Sequence, residues 1–134
     1  MAIAEIPQQH SVPGAKPAPK RGLRLERHFT REGVHPYDEI DWELRDAVIP
    51  GEGGNVCEQK GVEVPKFWSA TATNVVASKY FRGKLTSPER EWSVKQMVDR
   101  VVDQITAWGI QGGYLVNEDD TQIFNHELKY LMVH

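Results

Sequence analysis

Cysteine is nearly absent from this 134-residue chain: Cys57 stands alone. A single thiol forms no internal disulfide, which fits a reducing compartment, and it supplies neither a Cys-x2-Cys zinc pair nor a redox dithiol. No apolar run approaches the ~20 residues of a membrane helix, and residues 1–19 hold no continuous apolar stretch of the secretory type. Basic excess is missing as well. With 16 Lys and Arg against 19 Asp and Glu the formal charge is −3, so no nucleic-acid or anionic-membrane footprint is expected. Glycine-rich phosphate loops, nucleophile elbows and dinucleotide fingerprints do not occur. The remaining composition, 40% hydrophobic and 26% charged, is that of a soluble, cytoplasmic globular protein.

What is present is ordered along the chain. Residues 1–22 carry four of the eight prolines (Pro7, Pro13, Pro17 and Pro19) with Lys16, Lys20 and Arg21, and predict a disordered proline-rich basic tail. Arg24 and Arg27 extend the basic cluster. A solvated linker is expected there rather than a phosphate site, since neither aromatics nor a glycine loop accompany it.

Residues 23–66 read as a loop followed by a β-hairpin. Ile40, Trp42 and Leu44 alternate with Asp41, Glu43 and Arg45, the period of a half-buried strand. Residues 50–55 supply the turn, and residues 56–64 return with Gly61 as a bulge. Residues 67–134 read as three helices. Ser69 caps the first, running to about Phe81 with Ala72, Val75, Val76 and Tyr80 on one side. Ser87 and Pro88 open the second with Glu89 and Glu91 in its first turn. Val94, Met97, Val98, Val101, Val102, Ile105 and Trp108 form its apolar stripe, and Gly109 closes it. Asn117 caps the third, with Asp120 in a capping-box-like position and Ile123, Phe124, Leu128, Leu131 and Met132 on its apolar face. The fold class expected is mainly α with a small β-hairpin. No stop signal follows that last face, so the domain is expected to continue beyond His134.

Candidate chemistry is sparse. His28, His35 and Asp38 could be read as metal ligands, but their spacing is loose and a loop packing His35-Pro36-Tyr37 against the hairpin is preferred. His126 is expected on the polar, exposed side of its helix; His10 lies in the tail and His134 is terminal. Cys57 is expected to act as a small strand hydrophobe with no cation to activate it. Glu89, Glu91, Asp99 and Asp103, interleaved with Arg90, Lys95 and Arg100, read as a solvated charged face. No catalytic, cofactor-binding or metal-binding residue is predicted.

Several short stretches, in order, resemble the start of the class II ribonucleotide reductases. They are Gly22-Leu-Arg-Leu-Glu-Arg-His-Phe-Thr30, Gly33-Val-His-Pro-Tyr-Asp38, residues 42–49 and Gly61-Val-Glu-Val-Pro-Lys-Phe-Trp-Ser69. Ala72-Thr-Asn-Val-Val76, Lys79-Tyr-Phe-Arg-Gly83, Ser87-Pro-Glu-Arg-Glu91 and Arg100-Val-Val-Asp103 follow. Each is weak alone; their order and spacing make the match specific. The pattern departs at Cys57, where a bulky hydrophobe is expected and the hairpin return is about one residue short. It departs again at Trp92, which replaces a polar residue and is expected to be exposed or partner-facing.

The resemblance implies an adenosylcobalamin-dependent enzyme that reduces ribonucleotides to 2′-deoxyribonucleotides on a ten-stranded α/β barrel, using at least three cysteines. This chain would be the N-terminal helical cap of that barrel. It would be inactive alone, with the downstream barrel portion as its partner and ribonucleotide bound only by the complete enzyme. Its rivals are a self-contained helical interaction module, which would unfold cooperatively and bind something other than a reductase barrel, and a small metal enzyme using His28, His35 and Asp38.

Overall fold

The computed structural model describes residues 21–54 and 56–134; the proline-rich tail expected over residues 1–22 lies almost wholly outside them. Two antiparallel strands and three helices follow one another: β1 (Trp42–Pro50), β2 (Val56–Pro65), α1 (Ala70–Lys79), α2 (Val94–Gln111) and α3 (Glu118–Val133), with a short 3-10 turn at Pro36–Glu39. The chain is thus mainly α with a small hairpin.

The hairpin register shows why its two faces differ from simple alternation. Arg45 pairs with Val62 but Ala47 pairs with Gln59, so Lys60 and Gly61 together oppose Asp46. The extra residue is accommodated at Gly61, whose φ of +70° favours glycine, and the expected bulge is found there. As a result Val62, Val64 and Ala47 are buried while Leu44 is 66% exposed, so the apolar row Ile40–Trp42–Leu44 does not continue as a core face. Arg45 takes the inward place. Its guanidinium donates to the carbonyl oxygens of Lys66 and Trp68 at 2.9 and 2.6 Å and to Thr73 Oγ1 at 3.0 Å, tying β1 to the start of α1.

Ser69 caps α1, its Oγ accepting from the Ala72 N–H at 3.0 Å. The helix buries Thr73 and Ala77, whereas Val75 and Tyr80 are exposed, so its buried face is rotated from the one expected. The helix also ends at Lys79, short of Phe81.

α2 does not begin at Ser87. Residues 84–90 form turns, and the cap is Ser93, closed by a reciprocal capping box with Gln96. Tertiary contacts select this start: the Glu63 N–H donates to the Trp92 carbonyl at 2.8 Å and Ser93 Oγ donates to Glu63 at 2.7 Å, docking the helix on β2. Val94, Val98, Val102 and Thr106 are the buried row, one turn apart. Trp108, expected on that row, is 61% exposed. Gly109 is inside the helix, packed under Leu115, and termination falls to Gly112 and Gly113, the latter at φ +78°.

The core joins Val62 and Val64 of the hairpin to Ala77, to Val94, Val98 and Val102 of α2, and to Val133 of α3. Burying each such valine contributes roughly 1.5–3 kcal/mol.

Candidate functional site

Polar clusters on α3 organise the rest of the molecule. Asn117 caps this helix as expected, accepting from the Asp120 N–H at 2.8 Å. Asp120 itself is buried beneath residues 24–25, taking the Leu25 N–H at 2.8 Å and the Asn117 amide at 2.6 Å. Two turns further on the same face, Glu127 accepts from the backbone N–H groups of His28, Phe29 and Thr30 at 3.1, 3.0 and 2.9 Å, and from Thr30 Oγ1 at 2.5 Å. Residues 23–30 are therefore an extended strap laid along α3. The Leu25 N–H, then the Asn117 amide and Arg24, hold the Asp120 carboxyl below the usual carboxylate range. Burial would raise Glu127, but the Thr30 hydroxyl and the three strap N–H groups outweigh it and hold it low.

The strap also carries aromatic rings. Phe29 stacks on Tyr130 at 4.9 Å, Tyr130 on His134 at 3.9 Å, and His134 on Phe67 at 5.2 Å. Arg24 is 85% exposed at its side chain, as a solvated segment requires, and reaches Asp120 at 3.4 Å, whereas Arg27 donates to Thr30 Oγ1 at 2.9 Å.

On the opposite side of α3, Lys129 is only 8% exposed at its side chain and lies 3.0 Å from both Asp99 and Asp103 of α2. Tyr37 donates its hydroxyl to Asp99 at 2.8 Å, and Asn125 donates to Asp103 at 3.0 Å. Burial, then the hydrogen bond to Asp99, pushes the Tyr37 phenol up. Asp103 is held low because Asn125 and Lys129 outweigh the cost of its burial. His35 caps the 3-10 turn through Nδ1, which accepts from the Tyr37 N–H at 3.1 Å, and its ring meets that of His126 at 4.9 Å. His126 is half-buried, not exposed. Both imidazoles are pushed down, chiefly by burial; Lys129 adds to this at His35, and the His35 ring, Arg27 and Lys129 at His126.

A third cluster holds the link between α1 and α2. Arg90 donates to the carbonyl oxygens of Ala77, Phe81 and Gly83 and, at 3.0 Å, to Gln59. Glu91 accepts from Arg100 Nε at 2.7 Å and from the Arg82 N–H at 2.9 Å; against its burial these bonds hold the carboxyl low. The face read as solvated thus spends Arg90, Glu91, Asp99, Arg100 and Asp103 on tertiary bonds. Sequence reasoning missed Glu127 and Lys129 as well. Asp120 and Glu127, two turns apart beside a basic strap, carried a readable signal; Lys129 carried none.

The remaining candidates are scattered. His28 lies edge-on to Phe29 at 4.5 Å. Among the described residues no three His, Cys, Asp or Glu side chains are placed to hold a metal ion, so His28, His35 and Asp38 form no such group. Cys57 stands opposite Ile49 on β2 and is exposed, rather than packed as a hydrophobe. Trp92 is exposed, as expected.

The charged clusters around Asp120 and Glu127, Lys129, and Arg90 and Glu91 join strap, hairpin and helices to one another. The particular family is shown by comparison. The sequence profile described as class II vitamin B12-dependent ribonucleotide reductase matches residues 43–134, and the chain belongs to that family. It is 48% identical over 116 residues to a vitamin B12-dependent ribonucleotide reductase of Streptomyces coelicolor, covering 85% of this chain and 12% of that protein. A protein of the same name from Rhodopirellula baltica is 37% identical over 143 residues, covering 99% of this chain and 14% of the relative. The chain therefore spans about 12% of the length of relatives such as the Streptomyces protein, matching their N-terminal part.

Proposed function

We propose that this chain is the N-terminal cap of an adenosylcobalamin-dependent ribonucleotide reductase, packing on a ten-stranded α/β barrel that the rest of the enzyme supplies. Its role there is scaffolding, in the cytoplasm, for the reduction of ribonucleotides to 2′-deoxyribonucleotides. No helix among the described residues is long and apolar enough to cross a membrane.

The residues present do not fit the cobalamin cofactor. One surface hollow, about 480 Å³ and lined by Thr106, Glu118, Asp119, Gln122 and His126, is an open trough. Sites for drug-sized ligands already span ~300–1,000 Å³, and a corrin with its nucleotide loop and adenosyl group exceeds such ligands. Cofactor and substrate therefore belong to the barrel, as does the cysteine set of which Cys57 is no part.

The observation that carries the scaffolding role is the apolar surface at the end of α3. Leu131 and Met132, on the apolar face expected of the third helix, face outward, and Phe67, stacked on His134, is exposed as well. Outward apolar groups of this kind mark an interface. Family membership favours the reductase barrel over an unrelated partner as what covers them.

The test is to express the remaining portion of a reductase of this family with and without this chain. A stable complex is expected, with ribonucleotide reduction dependent on adenosylcobalamin appearing only when both are present. Leu131→Asp should weaken the complex about tenfold or more. No association, or equal activity of the barrel portion alone, overturns the proposal.

A further inference from the structure

The strap is held on α3 by groups that differ in what a proton does to them. The Leu25 N–H donates to Asp120, and the His28, Phe29 and Thr30 N–H groups donate to Glu127. Both carboxyls lie below their ordinary range, so these holds persist well into acid. Arg27, between them, is held differently. Its guanidinium donates to Thr30 Oγ1 at 2.9 Å and to Gln122 Oε1 at 3.5 Å, and its Nη1 lies 3.5 Å from His126 Nδ1. A guanidinium only donates, so Nδ1 receives this bond and the neutral ring carries its proton on Nε2. His35 is fixed in the same form, because its Nδ1 accepts from the Tyr37 N–H at 3.1 Å. The two rings meet edge to face, their centroids 4.9 Å apart. A second proton on either ring sets one N–H against another, from Arg27 at His126 and from Tyr37 at His35.

The charges around the pair sharpen that conflict. Arg27 of the strap and Lys129 of α3 are the cations; Asp38 beside the 3-10 turn, Asp99 and Asp103 of α2, and Glu127 of α3 are the anions. Three of these anions are already engaged, Asp99 and Asp103 by Lys129 and Glu127 by the strap N–H groups. Glu32, Glu118 and Asp119 line open hollows beside Arg27 and His126, but they are exposed and water screens them. A proton on His126 therefore meets Arg27 with no free buried carboxylate to receive it.

We propose that Arg27, His126 and His35 form a proton-operated latch, which holds the strap on α3 while His126 is neutral and releases residues 27–30 when it gains a proton. The ends of the released stretch stay tied, by Leu25 to Asp120 on one side and by the 3-10 turn on the other. Every group involved lies within the described residues, and none belongs to the Leu131–Met132 patch assigned to the barrel, so the latch stands or falls apart from the reductase reading.

The full 134-residue chain, labelled with nitrogen-15, tests it between about pH 8 and about pH 5, an interval in which histidine titrates and Glu127 keeps its charge. At the upper end both imidazoles should carry the proton on Nε2. As His126 titrates, protection of the His28, Phe29 and Thr30 amides, corrected for intrinsic exchange, should fall about tenfold while Leu25 and the hairpin amides hold. His126→Gln, which has no proton to gain, should abolish that fall. Arg27→Gln, a change on the strap that leaves the core untouched, should abolish it with His126 still titrating, because the repelled cation is gone. A proton on His126 Nδ1 at the upper end overturns the proposal. So does strap protection that stays constant through the His126 titration, or that falls as much in His126→Gln or in Arg27→Gln. Loss of protection at all amides together overturns it too, since the proton would then unfold the chain and not the strap.

Discussion

Glu127 concentrates more of the fold in one side chain than its surface position suggests. Its two carboxylate oxygens take three consecutive strap N–H groups and the Thr30 hydroxyl, an anion held in an arc of donors. Glu127→Ala should free the strap at a cost of about 1–3 kcal/mol, because several donors lose one acceptor together. Hydrogen exchange should accelerate at His28, Phe29 and Thr30 while the hairpin amides stay protected; unchanged exchange at those three positions would refute the strap. The pH dependence follows in sign. A carboxyl held below its ordinary value contributes stability that is present above about pH 4.5 and lost as pH falls through the depressed value. Asp120 and Asp103 act in the same direction.

At the scale of elements, the start of α2 shows how a local signal is overruled. Ser87-Pro88-Glu89 has the chemistry of a helix start, yet the same residues also build turns, and there they do so. Ser93 wins because it satisfies the helix N–H groups with Gln96 and bonds Glu63 on β2 at once. Ser93→Ala should therefore destabilise the chain by about 1–2 kcal/mol in urea unfolding, whereas Ser87→Ala should cost only a few tenths. Equal effects would contradict this start. Elsewhere local chemistry prevailed. Ser69 and Asn117 cap the helices expected of them, and Gly61 forms the expected bulge, since each needs only partners a few residues away.

For the whole molecule, the meeting of the 3-10 turn, α2 and α3 around Lys129 sets a pH limit. His35 and His126 face each other there, with Lys129 and Arg27 on one side of the charge balance and Asp38, Asp99, Asp103 and Glu127 on the other. Both imidazoles are held below the ordinary 6.5. The unfolded chain therefore binds protons more readily, so their contribution is complete above pH 6.5 and is lost as pH falls through the depressed values. The melting temperature should decline as pH is lowered from 6.5, and His35→Gln with His126→Gln should flatten that decline. An undiminished slope in the double variant would remove the histidines as its cause.

Residue order alone was enough to show the family, the mainly helical class with its hairpin, and three helices with two of their caps. Those depend on short-range chemistry and on motif order, both written along the chain. Only the tertiary structure decided which charges are buried and which apolar groups are not. Lys129 finds Asp99 and Asp103 across a helix pair, and Arg45 finds carbonyl oxygens beyond the hairpin. Leu131 and Trp108 turn outward because the inward rows were taken by Val133 and by Val98, Val102 and Thr106. Periodicity measures how apolar a face is; it does not say which neighbouring element will be there to cover it.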